Sequence, residues 1–304
     1  MMVNVCVYMR VIIDTDCGVD DAFALIAALE LYDVVGITCV SGNVFVDDVV
    51  NNIGVVLELV GKTNVPFFKG AEHFILNGWK PSSYLGHGKD GLGDSDMKSN
   101  LKPQNESAVN ALIRLTKEYD DINLIAIGPL TNVALACLID PDLPNRVKSF
   151  TVMGGAHQCK GNISLASEFN INCDPEAAKI CIDRFSMTRM LTWETSYKCH
   201  IPWDIWTQIT KSDTKYAKFL TAISNKLLEY KYPGYIACDL VAVLSYQAED
   251  ENRSTELFCD IELTGSLTRG ATIFDWNNNK KPNIILLKIN HNKMLNLINQ
   301  IILQ

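Results

Sequence analysis

The stretch Val11–Ala22, with the sequence VIIDTDCGVDDA, decides the fold because it joins an apolar segment to a helical one through a run of carboxylates. Val11–Ile13 is short and wholly apolar, as expected of a parallel strand that is buried on both faces. The segment Asp21–Tyr32 is mostly apolar and is long enough to form a helix. The stretch therefore predicts a buried strand, an acidic turn and a helix, in that order.

The same alternation of short apolar runs and longer helical runs continues toward residue 191. We predict strands at Val34–Val40, Val65–Phe68, Ile122–Ile127, Val147–Met153 and Thr188–Leu191, and helices at Val46–Val60, Ser107–Tyr119, Pro129–Ile139 and Pro175–Phe185. Such alternation is typical of a parallel sheet that is covered by helices on both faces. We therefore expect an α/β fold with a central, mostly parallel β-sheet flanked by helices, similar to Rossmann-like folds.

The last third of the chain is more helical. Helices are predicted at Trp203–Thr210, Asp213–Tyr230, Leu240–Glu249 and Asn292–Ile302, and strands at Ser254–Leu263 and Ala271–Phe274. The longest non-periodic stretch, His73–Leu101, is rich in Gly, Ser, Pro and Asp, and loops of this length are usually functional lids or disordered segments. Because we find no internal repeat and no linker, we expect residues 1–304 to form a single domain.

Composition and charge favour a small-molecule partner. The 304 residues carry a formal net charge of −8 and include no basic cluster that would bind a phosphate backbone. No apolar run is long enough to span a bilayer, and the first ten residues lack the features of a signal peptide. The ten cysteines include no CxxC pair and are expected to be reduced thiols. We therefore expect a cytoplasmic protein with no nucleic-acid or membrane partner.

Four carboxylates, those of Asp14, Asp16, Asp20 and Asp21, lie within eight residues where the first strand ends and the first helix begins. Carboxylates this close repel one another unless positive charge balances them. Helix capping by Asp20 and Asp21 is one explanation, because acidic residues favour the first turn. A hard divalent cation held through oxygen atoms explains the whole cluster, and Gly18 lets the chain turn tightly around it.

The segment Asp14–Ala22 resembles the signature of the inosine-uridine-preferring nucleoside hydrolase family, with Cys17 where that signature usually has proline. Further blocks follow in the family's order: Ser41-Gly42-Asn43, Gly128–Asn132, Met153-Gly154-Gly155, Gly161-Asn162-Ile163, Glu168–Asn172, Asp174–Ala178 and Cys238-Asp239. Most of them follow predicted parallel strands, where open α/β sheets bind their ligands. The resemblance implies an enzyme that uses water to split ribonucleosides into base and ribose.

The resemblance also implies a calcium ion, Ca2+, and a set of substrate contacts. The implied metal ligands are Asp16, Asp21, Asp239 and the carbonyl of Thr131, a residue equally suited to cap a helix. Asp16 would accept the proton of a calcium-bound water. The residues that resemble the family's ribose contacts are Asp20, Asn43, Met153, Asn162, Glu168 and Asn170. Taken singly, each polar one is explained as well by a surface position, and Met153 by a core position.

The group that protonates the leaving base is where this sequence departs from well-known family members, which have His or Trp in place of Cys238. Cysteine at this position matches a third branch of the family, and a thiol with a pKa near ~8.5 is protonated at neutral pH. Packing alone is the alternative role of Cys238. His87, in the loop Gly86–Gly91, is a second candidate acid. Trp79 and Tyr84 are candidates to stack on a purine or to anchor the loop.

Other functions stay open from the residues alone. Asp14-Thr15-Asp16 after an apolar strand looks like the nucleophile motif of haloacid-dehalogenase-type phosphohydrolases, which use magnesium, but that motif does not explain Asp20 and Asp21. A silent nucleoside- or ribose-binding protein with a retained calcium site is the second alternative. The choice of base, purine or pyrimidine, is also open. By resemblance we further expect a homodimer or homotetramer.

Overall fold

The first strand and helix form where the sequence predicts them. In this computed structural model the strand is Arg10–Thr15 and the helix is Val19–Leu31. The structure describes residues 9–78, 80, 86–230 and 232–303. Trp79 and Tyr84, the two candidate base-stacking residues, lie outside the described residues.

Within the described residues, nine strands form one sheet. They are β1 Arg10–Thr15, β2 Asp33–Cys39, β3 Phe67–Lys69, β4 Asn123–Ala126, β5 Ser149–Met153, β6 Thr188–Leu191, β7 Thr255–Ile261, β8 Thr272–Asp275 and β9 Ile284–Leu286. Their spatial order is β3-β2-β1-β4-β5-β6-β9-β7-β8. Every pair from β3 to β9 is parallel, whereas β7 is antiparallel to both β9 and β8. The prediction of a mostly parallel α/β sheet is confirmed.

Helices connect the strands and cover the sheet. They are α1 Val19–Leu31, α2 Val46–Val60, α3 Ala108–Glu118, α4 Thr131–Ile139, α5 Leu143–Arg146, α6 Phe169–Cys173, α7 Pro175–Arg184, α8 Trp193–Lys198, α9 Trp203–Lys211, α10 Lys215–Ile223, α11 Cys238–Ala248 and α12 His291–Ile302, with a 3-10 turn at Leu227–Glu229. No helix among them is both long and apolar enough to cross a bilayer, within the residues described. Each described cysteine is a free thiol, as expected.

A hydrophobic core lies on each face of the sheet. Successive residues of β1 point to opposite faces, so Ile13 packs into one core with Phe23 of α1 and Leu240 of α11. Ile12 packs into the other core, which α3, α4 and α7 cover. The contact between α1 and α11 is among the most extensive in the molecule. It brings the amino-terminal turns of these two helices together, although more than two hundred residues separate them in the sequence.

The helix predicted over Asp213–Tyr230 is wrong in extent. α10 ends at Ile223, and only a 3-10 turn forms beyond it. Ser224, at the break, is fully buried, and its hydroxyl hydrogen-bonds with the Tyr235 hydroxyl at 3.0 Å. This tertiary contact fixes the backbone at a point where helix propensity alone would continue it. The single domain over residues 1–304 stays a prediction.

Candidate active site

A cavity with about 850 Å³ of empty space opens where the carboxyl ends of the central strands meet. Its lining includes residues that follow β1, β2, β4 and β5, as expected for a ligand site in an open α/β sheet. We call it the main cavity. Nine of the residues singled out from the sequence line it: Asp20, Asn43, His87, Met153, Asn162, Glu168, Asn170, Cys238 and Asp239. The other three, Asp16, Asp21 and Thr131, are almost fully buried.

The Asp16 carboxylate lies close to the backbone of two glycines. Its Oδ2 accepts the backbone N–H of Asn43 at 2.6 Å, whereas its Oδ1 is buried and has no hydrogen-bond partner among the described residues. A β-carbon at Gly42 would collide with this carboxylate, and one at Gly128 would lie 2.9 Å from Oδ1. The two glycines therefore let the chain close around Asp16. One carboxylate oxygen is left without a protein donor, as in a site that awaits a cation or a water.

The Asp21 side chain, in the first turn of α1, caps the amino-terminal end of that helix. Its Oδ2 accepts the backbone N–H of Gly18 at 2.9 Å, and its Oδ1 accepts the hydroxyl of Thr15 at 2.6 Å. The side-chain amide of Asn43 donates to Oδ2 at 3.2 Å. Capping therefore accounts for part of the role of Asp21, but it does not account for the buried Asp16 on the strand side or for Asp239 on another helix.

Asp20, Asp21 and Asp239 form a close carboxylate cluster, in which one oxygen of each lies within 4.8 Å of the others. The packing of α1 on α11 creates it, and Asp20 Oδ2 also accepts the backbone N–H of Cys238 at 3.2 Å. Burial raises the pKa of Asp239 well above its usual value, and the negative charges of Asp20 and Asp21 raise it further. Burial and repulsion from Asp21 likewise raise the pKa of Asp16. Ionising all of them requires a nearby positive charge.

The donor set fits a hard divalent cation. All its ligand atoms are carboxylate oxygens, which calcium and magnesium prefer. Asp20, which resemblance assigns to ribose, belongs to this cluster and also lines the main cavity, and its role stays a prediction. Thr131 is the first residue of α4, and its hydroxyl donates to Asp174 Oδ2 at 2.7 Å, so it is not the N-cap. The role of its carbonyl stays a prediction.

Hydrogen bonds of Glu168 and Asn170 connect the loops at the carboxyl edge of the sheet. Glu168 caps α6 and accepts backbone N–H groups of Gly155 at 3.0 Å and of Asn170 at 2.9 Å. The Asn170 amide donates to the carbonyls of Ile127 at 3.0 Å and of Met153 at 3.1 Å. Burial raises the pKa of Glu168 to about 7, although the backbone N–H groups oppose this shift. Both side chains line the main cavity, so they are polar groups presented in a fixed orientation.

Asn43 and Asn162 reach the main cavity from two loops. The side-chain and backbone amides of Asn43 donate to Asp21 and Asp16, so this residue links the carboxylates to the segment after β2. The Asn162 side-chain oxygen accepts the backbone N–H of Phe169 at 2.9 Å. In both residues part of the amide is engaged by the protein while the side chain lines the main cavity.

Cys238 and His87, the two candidate acids, both line the main cavity. Burial raises the pKa of the Cys238 thiol well above its usual value, with Asp20 adding to the shift, so the thiol is protonated at neutral pH. His87 Nδ1 accepts the backbone N–H of Val19 at 3.1 Å, which places the proton of the neutral ring on Nε2. A β-carbon at Gly18 would lie 2.5 Å from His87 Nδ1, so this contact requires glycine.

Sequence reasoning missed an aromatic wall. Trp193, Trp203, Tyr232 and Tyr235 line the main cavity. The rings of Trp193 and Tyr232 meet edge to face at 6.3 Å, and the Trp203 indole N–H donates to the Tyr232 carbonyl at 3.1 Å. Tyr235 stacks on Trp206 with ring centroids 3.7 Å apart. The density of Trp and Tyr between residues 193 and 235 was the available signal.

Comparisons with known proteins cover nearly the whole chain. A sequence profile described as inosine-uridine preferring nucleoside hydrolase matches residues 11–296. The chain is 32% identical over 282 residues to a probable uridine nucleosidase 2 of Arabidopsis thaliana, and the aligned region covers 90% of this chain and 87% of that protein. It is 30% identical over 280 residues to an inosine-uridine preferring nucleoside hydrolase of Crithidia fasciculata, covering 88% of each.

A solved structure of a nucleoside hydrolase has the same fold as this chain. The fold matches that of an inosine-guanosine nucleoside hydrolase with a TM-score of 0.90 and 30% sequence identity, covering 96% of this chain and 98% of the other. The shared fold therefore extends over nearly the whole chain.

Proposed function

Because this chain belongs to the inosine-uridine preferring nucleoside hydrolase family, we propose that it hydrolyses the N-glycosidic bond of ribonucleosides to free base and ribose. Membership makes it an enzyme that acts on N-glycosyl bonds. The observation that best supports this particular reaction is the buried carboxylate cluster beside the main cavity. An oxocarbenium-like transition state carries positive charge on the sugar, and carboxylates stabilise such charge.

We propose that the cation is calcium and that its protein ligands are Asp16, Asp21, Asp239 and the Thr131 carbonyl. The unpartnered Oδ1 of Asp16 and the mutual repulsion of the carboxylates support this assignment. When bound, calcium supplies a positive charge that orients the ribose hydroxyls and lowers the pKa of its water. Asp20 lies close enough to the cluster to contact either the cation or a ribose hydroxyl.

Asp16 is the proposed general base. Its carboxylate is fixed by the Asn43 N–H on one oxygen, so the other oxygen has a defined direction from which to accept the proton of the attacking water. Asn43, Asn162 and Asn170 are proposed to hold ribose hydroxyls, since amides both donate and accept hydrogen bonds. Glu168 would add negative charge near the sugar, and Met153 would pack against it.

The aromatic wall and the two candidate acids are proposed to receive the base. Names of similar proteins include uridine as well as inosine and guanosine. We therefore propose purine nucleosides, pyrimidine nucleosides or both as substrates of this chain. The homo-oligomeric state and the cytoplasmic location stay predictions.

Turnover of inosine, adenosine, guanosine, uridine and cytidine, followed by the release of reducing sugar, tests the function. We expect ribose release in the presence of calcium, and we expect Asp16→Asn to lower kcat by roughly 10³-fold or more on every substrate, because a general base and a metal ligand are lost together. Asp120→Asn, at an exposed loop position, is the matched control and should retain activity.

Three outcomes would contradict the proposal. The mechanism is wrong if Asp16→Asn turns over like the wild-type protein. Release of phosphate from phosphomonoesters, without ribose release from nucleosides, would favour the haloacid-dehalogenase-type phosphohydrolase. Tight nucleoside binding without ribose release would favour a silent binding protein.

A further inference from the structure

A second cavity, with about 700 Å³ of empty space, shares helix α8 with the main cavity. It is lined by Thr195, Lys198, Cys199, Arg253, Lys288 and Ile289, and we call it the lysine groove. None of its residues lines the main cavity. It is therefore a separate feature that the proposed hydrolysis does not use.

The lysine groove concentrates positive charge in a chain whose net charge is −8. In the part of the chain that the structure describes, neither Lys198 nor Lys288 has a carboxylate within 4.0 Å. Arg253 lies 3.3 Å from Asp250, but its side chain is 79% exposed, so solvent screens this pair. The groove thus contains three cationic side chains, one of which, Arg253, belongs to an exposed ion pair.

Glu194 is a buried carboxylate of α8, and other groups already engage it. Its two oxygens accept the backbone N–H groups of His157 at 2.9 Å and of Gln158 at 2.8 Å. The His157 ring lies 3.1 Å from it as well. Its charge favours the protonated form of Lys288 only from a distance. Glu194 therefore does not neutralise the lysine groove.

The backbone of Lys288 is held by two hydrogen bonds, and the residue is partly buried. Its backbone N–H donates to the Ser254 hydroxyl at 3.1 Å, and its carbonyl accepts the N–H of Asp250 at 2.7 Å. Burial lowers the pKa of its ammonium group, and the charge of Lys198 lowers it further. The two ammonium groups therefore repel one another across the groove, and an anion between them would relieve that repulsion.

We propose that the lysine groove binds a dianionic phosphate group, either as inorganic phosphate or at the end of a phosphomonoester. Two lysines and an arginine provide cationic donors of the kind that bind phosphate oxygens. Three cations in an acidic chain are too few to hold a nucleic-acid backbone. The size of the groove leaves room for a substituent on the phosphate.

Equilibrium dialysis of the whole protein against inorganic phosphate, and separately against glycerol 2-phosphate, at matched ionic strength in chloride, tests this proposal. We expect saturable binding of at least one of the two, and the tighter one identifies free phosphate or a phosphomonoester as the ligand class. Lys288→Gln and Lys198→Gln should each weaken binding by about tenfold, because each removes a charged hydrogen-bond donor.

Two further variants make the test specific. Lys288→Arg keeps the charge and should retain binding within roughly threefold, whereas Lys62→Gln, at an exposed lysine after α2, should leave it unchanged. Circular dichroism of each variant checks folding, so Lys288→Arg decides the question if Lys288→Gln is unstable. Absence of saturable binding of both ligands, or equal binding by the wild-type protein, Lys288→Gln and Lys198→Gln, would overturn the proposal.

Discussion

At the residue scale, the site depends on carboxylates that the fold buries against one another. Asp16, Asp21 and Asp239 are each almost fully buried, and burial raises the pKa of each. Placing like charges together at low dielectric costs free energy, and structures retain such clusters where a ligand balances them. The glycines beside Asp16 and His87 serve the same arrangement, because a side chain at Gly42 or Gly18 would displace these groups.

The identity of the proton donor is a prediction at this scale. Cys238 is a protonated thiol in the main cavity, and His87 presents its Nε2 proton while Val19 holds Nδ1. We expect His87→Gln to lower kcat on adenosine and uridine, which have poor leaving groups, by roughly 10²-fold, as for loss of a general acid. We expect Cys238→Ala to have a smaller effect that is also largest on those substrates.

An activated substrate separates the two roles. With p-nitrophenyl riboside, whose leaving group needs no proton, both variants should approach the kcat of the wild-type protein. A loss of activity that is equal on all substrates would show that the residue positions the sugar and does not protonate the base. If neither variant affects any substrate, both assignments are wrong.

At the scale of elements, helix α8 connects a buried ionic network to the aromatic wall. Glu194 lies beside Trp193 in the first turn of α8 and accepts two backbone N–H groups from the loop after β5. The His157 ring, which contacts Glu194, also hydrogen-bonds with the Thr192 hydroxyl at 2.6 Å. This network holds the start of α8 against the loop, and so it orients Trp193 in the main cavity.

Glu194→Gln tests this network. Burial opposes ionisation of Glu194, but hydrogen bonds from His157 and Gln158 outweigh it and lower its pKa below the ordinary value of 4.5. A carboxyl group whose pKa is lower in the folded protein than in the unfolded chain stabilises the fold at pH values above its unfolded pKa. This stability is lost as the pH falls through the pKa of the folded state. We expect Glu194→Gln to lower the free energy of unfolding at pH 7 by about 1–3 kcal/mol.

Urea denaturation at pH 7 and at about pH 4 provides the measurement. The difference between the wild-type protein and Glu194→Gln should shrink at the lower pH, because below the ordinary pKa of 4.5 the unfolded chain takes up a proton at Glu194 more readily than the folded protein does. Glu256→Gln, at an exposed position of β7, is the control and should stay within about 0.5 kcal/mol of wild type. A difference that is independent of pH would show that the charge of Glu194 is not what stabilises the loop.

The length of an element decides whether its sequence predicts it. β1, α1 and α2 have patterns long enough to identify, and each lies within a few residues of its predicted position. β9 has three residues and α8 has six, so each is too short for its periodicity to be recognised in the sequence. Their existence depends on tertiary pairing, in which β9 adds to the edge of β6 and α8 is anchored by Glu194.

At the scale of the whole molecule, the sheet makes a distributed site out of short motifs. Parallel strands end at one edge, so motifs after β1, β2, β4 and β5 converge there, and this much follows from topology alone. Asp239 joins them because α11 packs on α1, a contact that no local pattern specifies. Sequence reasoning missed the aromatic wall because Trp193, Trp203 and Tyr232 lie on separate segments that only the tertiary fold brings together.

Calcium binding by the purified, chelator-treated protein tests the central claim most directly, since everything proposed for the main cavity requires one cation among Asp16, Asp21 and Asp239. Equilibrium dialysis should give one calcium ion per chain, with recovery of nucleoside turnover in proportion to occupancy. Asp239→Asn should lose this binding, because it removes a carboxylate that only the packing of α11 on α1 brings to the cluster. Absence of saturable calcium binding in the wild-type protein, or unchanged binding by Asp239→Asn, would contradict the account.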